Sequence, residues 1–161
     1  MIRVELDTVI ERSIEDVFAQ LIDLPGYRRW MPRRDLFIRS DVTSEGPMGV
    51  GTTYYDKTWM GTFRGEVVTF RAPTTIGFSE TLRWLGMRVM EARPAYQLVA
   101  TEAGTEVHHV GEGQFCGIFR LMGPMGAWMA RGERKRTVRA LRRTLEQGRE
   151  GGTASFYVPS S

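Results

Sequence analysis

His109, Glu80 and Asp56 are the residues of this sequence whose type and strand position suit acid–base chemistry. An imidazole with an unperturbed pKa near ~6.5 can take or give a proton at neutral pH. Side chains of a strand alternate between two faces. From Thr105 to Phe115, Val107, His109, Gly111, Gly113 and Phe115 therefore share one face, and Glu106, His108, Glu112 and Gln114 share the other. The apolar set belongs inside, which sends His109 inward and His108 outward. A core histidine bonded to a neighbouring carbonyl or hydroxyl would look the same in sequence.

The same alternation puts Glu80 with Ile76, Phe78 and Leu82. A buried carboxylate needs a partner. Either a basic residue such as Arg88 supplies it, or a polar group of a ligand does, and a strand bulge would turn Glu80 outward. Between Gly51 and Met60, Lys57 marks the outer face, because lysine is rarely buried. Thr52, Tyr54, Asp56, Thr58 and Met60 then look inward, with Asp56 a candidate acid or base, or else a rim residue in a surface pair. Phe78, Met90, Tyr96 and Leu98 are expected on the inner wall, with Tyr54 and Tyr96 as polar anchors. Met122, Met125 and Trp128 could line it from the C-terminal segment, since methionine adapts to variable shapes. Gly111 and Gly113 leave room on that wall.

Other chemistries find no pattern here. There is no Ser/His/Asp arrangement, phosphate loop or dinucleotide fingerprint. The adjacent histidines point to opposite faces and make a poor metal pair, so neither metal nor cofactor is expected. Cys116 is the only cysteine, which excludes an internal disulfide. The chain has 161 residues, 42% hydrophobic and 25% charged, enough for one domain with a substantial core. No apolar run approaches the ~20 residues that cross a bilayer, and the N-terminus reads as a strand rather than a signal peptide, so a cytoplasmic location is expected.

These residues need elements to hold them. Ile2, Val4, Leu6 and Thr8 alternate with Arg3, Glu5 and Asp7 as a half-buried strand. Ser13 can cap a helix that buries Ile14, Val17, Phe18, Leu21 and Ile22. Pro25-Gly26 ends it, and Tyr27, Trp30 and Met31 suggest a second helical turn with Trp30 as a structural anchor. From Arg34 to Phe115 the pattern is strands and short turns, with a bend expected at Pro94, which implies an antiparallel meander. Gly117 to Gln147 reads as helix with two opposed faces: Ile118, Met122, Met125 and Met129 against Val138, Leu141 and Leu145. A straight helix cannot bury both, so a break at Pro124 or Gly132 is expected, or one face meets something other than the sheet. The net charge is +3, with Arg131, Arg134, Lys135, Arg136, Arg139, Arg142 and Arg143 concentrated in this segment. That cluster reads as a solvated helix face or as a contact for anionic membrane or an acidic protein. Nucleic acid is not expected, because no aromatic-interleaved basic surface accompanies it.

The order strand, two short helices, six strands, long helix resembles the helix-grip fold of the START-like (SRPBCC) superfamily. Asp23…Tyr27…Trp30…Pro32 is similar to the D-x-x-x-Y-x-x-W-x-P element of its polyketide cyclase/dehydrase-type members. Val50-Gly51-Thr52, then Val67…Ala72-Pro73…Ile76…Phe78, and Gly104-Thr105-Glu106-Val107 follow the later strands in order. The resemblance implies an α+β domain over 1–147, with a strongly curved antiparallel sheet of about seven strands around a long C-terminal helix. A flexible tail is expected at 148–161. It further implies a cavity for a hydrophobic lipid-, aromatic- or polyketide-like molecule in a monomer or homodimer. A cyclase/dehydrase-like enzyme using His109 with Glu80 or Asp56 is the alternative.

Overall fold

A computed structural model of the chain describes residues 1–26, 37–58, 61–122 and 139–146. Its strands are β1 (Ile2–Ile10), β2 (Phe37–Val42), β3 (Thr53–Thr58), β4 (Gly61–Arg71), β5 (Thr75–Trp84), β6 (Met87–Thr101) and β7 (Gly104–Phe115). Helix α1 (Ile14–Ile22) follows β1, a 3-10 helix (Gly117–Met122) follows β7, and residues 139–146 are helical (α2). All neighbouring strands run antiparallel in one curled sheet of order β1-β7-β6-β5-β4-β3-β2. Only β1 leaves sequence order, pairing along β7.

The alternation expected of β1 is present: Val4 and Ile10 are buried while Arg3, Glu5, Asp7 and Val9 face solvent. Helix α1 starts where Ser13 Oγ accepts from the Asp16 N–H at 3.2 Å, with Glu15 and Asp16 in the electropositive first turn. It buries Val17, Phe18 and Leu21. Laid flat, five strand spacings would separate β1 from β3 by about 24 Å. Instead Ile10, Val107, Val67 and Tyr54 belong to one core with α1 and with Leu141 and Leu145 of α2. Curling brings the two ends of the sheet under the same helices. A second, smaller core of Phe63, Leu82 and Val89 lies towards the β5–β6 hairpin, with Met90, Phe115 and Phe119 against it.

Pro94 stands in an internal strand, and the ladder records it. The β5–β6 register runs from Gly77 opposite Ala95 to Glu80 opposite Ala92, with neither Phe78 nor Ser79 paired across to Pro94 or Arg93. The register is the same on both sides of this gap, so the cause is the missing proline N–H rather than a slip.

The start of the C-terminal segment, Gly117–Met122, is a 3-10 helix where an α-helix was expected. The Leu141 and Leu145 face is the one packed into the core. Ile118, expected on the opposed buried face, is 76% exposed, and Leu121 is 90% exposed. The reason is pitch: a 3-10 turn eclipses residues three apart, so Ile118 and Leu121 share the solvent side while Phe119 docks on the smaller core. The proposed breaks at Pro124 or Gly132, the Met125, Trp128 and Met129 positions, and the tail at 148–161 lie outside the described residues. So do Tyr27, Trp30, Met31 and Pro32. Among the described residues no helix is long and apolar enough to cross a membrane.

Candidate functional site

Cross-strand register sorts the inner face of the sheet into rows. One row is Tyr54, Gly65, Glu80, Ala92 and Gly113, read from β3 across to β7. A second holds Ile76, Tyr96, His109 and Leu6. A third holds Asp56, Phe63, Leu82, Met90 and Phe115. The candidate acid–base residues thus come from three different rows of one wall.

In the first row Tyr54 is buried, and its hydroxyl donates to Glu80 Oε1 at 2.6 Å. Gly65 makes this reach possible. A Cβ at Gly65 would lie 2.6 Å from Tyr54 Cε1, so the ring occupies the space directly over the glycine and delivers its hydroxyl to the next strand. Phe78 is buried and packs edge-on to the Tyr54 ring, with centroids 5.7 Å apart. The phenol's hydrogen bond offsets part of the desolvation cost of the carboxylate. Arg88 does not supply that partner. It lies opposite Arg83, nearer the hairpin turn, and pairs with Glu91 at 3.0 Å.

Gly113 ends the same row. Among the described residues a Cβ there would meet only the Glu91 carbonyl oxygen within 4 Å, at 3.5 Å, which is ordinary contact. Gly111 is buried opposite Pro94.

His109 is 2% exposed and points inward, whereas His108 faces out to Asp7. The His109 ring stacks on Tyr96, with centroids 4.2 Å apart and planes 23° from parallel. Its Nδ1 lies 3.0 Å from the Ala95 carbonyl oxygen. A carbonyl only accepts, so Nδ1 carries hydrogen in this contact and Nε2 is the basic nitrogen of the neutral ring. This is the carbonyl-bonded histidine that sequence left open, and the same bond fixes the ring's orientation.

Asp56 is 5% exposed, which overturns its reading as a rim residue. Its place opposite Phe63, in the row of Leu82 and Met90, carries it into the interior. Met90 packs on the smaller core, and Leu98 belongs to the main core that α1 covers. Met122 ends the 3-10 helix. The inner wall therefore joins Tyr54, Phe78 and Glu80 directly, with Tyr96 and His109 stacked nearby. Met90 and Leu98 sit towards its two ends. Sequence reading missed Gly65 and the Ala95 carbonyl; a lone glycine inside an alternating strand was the available signal for the first.

A separate groove of ≈ 450 Å³ lies between α1 and α2, lined by Arg12, Asp16, Ala19, Gln20, Asp23, Thr144 and Leu145. None of the inner-wall residues reaches it. Among the described residues no cluster of three or more His, Cys, Asp or Glu side chains could hold a metal ion.

Comparison with known structures supports the architecture. A START superfamily protein from Mycobacterium smegmatis superposes with a TM-score of 0.71 at 14% identity, over 90% of this chain and 97% of that one. A protein from Mesorhizobium loti gives a TM-score of 0.69 at 15% identity, over 90% and 97%. The di-domain ARO/CYC StfQ of the steffimycin biosynthetic pathway gives 0.69 at 10% identity, over 93% of this chain and 52% of that one. At these identities the likeness is one of fold. Sequence comparison with curated proteins gives no match. Residues 1–146 match the family described as polyketide cyclase/dehydrase and lipid transport, and the chain belongs to that family.

Proposed function

We propose that this protein binds a hydrophobic small molecule, lipid-, aromatic- or polyketide-like, between the inner wall of the sheet and the C-terminal segment. The observation that carries the reading is the first row of the wall, where buried Tyr54 bonds half-buried Glu80 and Gly113, which no described side chain covers, lies on the same line. Apolar walls supply affinity and a few fixed polar groups set orientation. In this arrangement Tyr54 and Glu80 present hydroxyl and carboxylate oxygens to a polar substituent, and Tyr96 offers an aromatic face.

The test is native mass spectrometry of freshly purified protein before and after gentle organic extraction, repeated on Gly113→Val. Valine suits a strand, and its Cβ meets only an ordinary contact among the described residues, so folding is expected to hold. A discrete extractable molecule is expected in the wild type, with affinity weakened about tenfold in the variant, a loss of ~1.4 kcal/mol, and occupancy reduced accordingly. A clean apo mass in both, with no ligand taken up on titration, would mean a filled structural core.

A second reading is a cyclase/dehydrase-like enzyme, favoured by one observation. The Ala95 carbonyl fixes the His109 tautomer, which is how a general base is held in register with a reacting carbon. His109 would move the proton, with Glu80 or Asp56 assisting. On a carbonyl substrate, His109→Ala is then expected to lower turnover roughly 10²-fold with little change in binding. Equal loss of both would leave only the binding role.

A further inference from the structure

We propose that the tip of the β5–β6 hairpin and the adjoining 3-10 helix form a docking surface for an anionic lipid bilayer. The hairpin closes in two residues, Leu85 and Gly86, both with positive φ (48° and 82°), the geometry of a tight type I′ turn. The side chains around it are Arg83, Trp84, Leu85, Met87 and Arg88. Leu85 is 80% exposed, and Trp84 and Met87 are each 46% exposed.

The 3-10 helix is fixed beside the base of this hairpin. Cys116 N–H donates to the Val89 carbonyl at 2.9 Å, and Phe119 packs on the core of Phe63, Leu82 and Val89. That anchorage turns Ile118 and Leu121 outward. Other exposed large apolar side chains, such as Val9, Val50, Val68 and Val99, are scattered among different elements. These five instead fall on two adjoining segments, which is unusual for a surface facing only water.

Charge identifies the partner. Residues 83–88 (RWLGMR) and 117–122 (GIFRLM) contain Arg83, Arg88 and Arg120 and no acidic residue. Glu91 is set behind the tip and pairs with Arg88. Exposed apolar side chains with arginines beside them match an anionic bilayer, where apolar groups enter the acyl boundary and guanidinium groups meet phosphates. A second copy of the chain fits less well. A narrow projecting turn needs a complementary apolar groove, and the groove described between α1 and α2 is mainly polar, with Arg12, Asp16, Gln20, Asp23 and Thr144 beside Ala19 and Leu145.

The experiment is co-sedimentation of the full chain with phosphatidylcholine vesicles, with or without phosphatidylglycerol. Wild type is expected to partition onto the anionic vesicles and to be released by salt. Leu85→Glu, at an exposed position that leaves the fold intact by circular dichroism, is expected to lower partitioning about tenfold, as is the pair Arg83→Gln with Arg88→Gln. Wild-type partitioning by Leu85→Glu would overturn the proposal, placing any binding on another basic surface. Absence of wild-type binding to either vesicle would overturn it too, as would a concentration-dependent dimer abolished by Leu85→Glu.

Discussion

Gly104→Val is expected to destabilise the fold by about 4 kcal/mol, from roughly 1–3 kcal/mol of backbone strain and a similar cost of overpacking. Gly104 has a φ of +126°, a conformation that a β-branched residue rarely adopts. A Cβ there would sit 2.8 Å from the Glu11 Cα and inside contact distance of the Ile10 carbonyl oxygen. Both obstacles are backbone at the end of β1, so no side chain can swing aside. Thermal unfolding should show a midpoint lowered by on the order of 10 °C or more for a domain of this size. Gly113→Ala is the control: with one ordinary contact at 3.5 Å among the described residues, its midpoint should stay near wild type. Equal shifts in the two variants would show that the close approach at Gly104 is not the cause.

Leu141→Ala is expected to cost about 2–5 kcal/mol, the range for emptying a leucine site in a packed core. Leu141 is 1% exposed and belongs to the cluster that joins α2 to Val17, Phe18, Val107 and Ile76. Arg12 reinforces the same join, donating from Nε to the Leu145 carbonyl at 2.6 Å, while its own carbonyl accepts from Thr105 Oγ1 at 2.8 Å. If the ligand lies under the C-terminal segment, loosening α2 should also speed its release. Denaturant titration measures the first effect and a displacement assay the second. Arg142→Ala, which removes an exposed pair with Glu146, should leave stability near wild type. A Leu141→Ala variant as stable as wild type would mean that α2 adds little to the core.

Most strands were legible because one face is buried. Alternation, read with the apolar set inside and lysine outside, placed His109 inward, His108 outward and Lys57 on the solvent side. It assigned faces but not partners. That Tyr54 meets Glu80 over Gly65 depends on how β3, β4 and β5 slide past one another, and turn geometry sets that register. Asp56 was hard to place for another reason: a carboxylate argues for the rim, and its neighbours Tyr54 and Thr58 argue for the interior. The C-terminal segment misled through period. An α-helical phase begun at Gly117 assigns Ile118 to the core, while the observed 3-10 turn gives that place to Phe119. Leu141 and Leu145 were correctly grouped on one face, but only packing could tell which face meets the sheet.

Pro94 gives the sheet a seam. On one side stand β2 to β5, carrying Tyr54, Phe78 and Glu80; on the other stand β6, β7 and β1, carrying Tyr96, His109 and Gly113. Hydrogen bonds resist any change in the splay of two strands, and here the ladder is interrupted beside Phe78 and Ser79. The two panels are thus most weakly stitched where their polar and aromatic side chains meet. A change in splay between β5 and β6 is therefore resisted least at this point, while the ladder above and below it holds the two strands in one register.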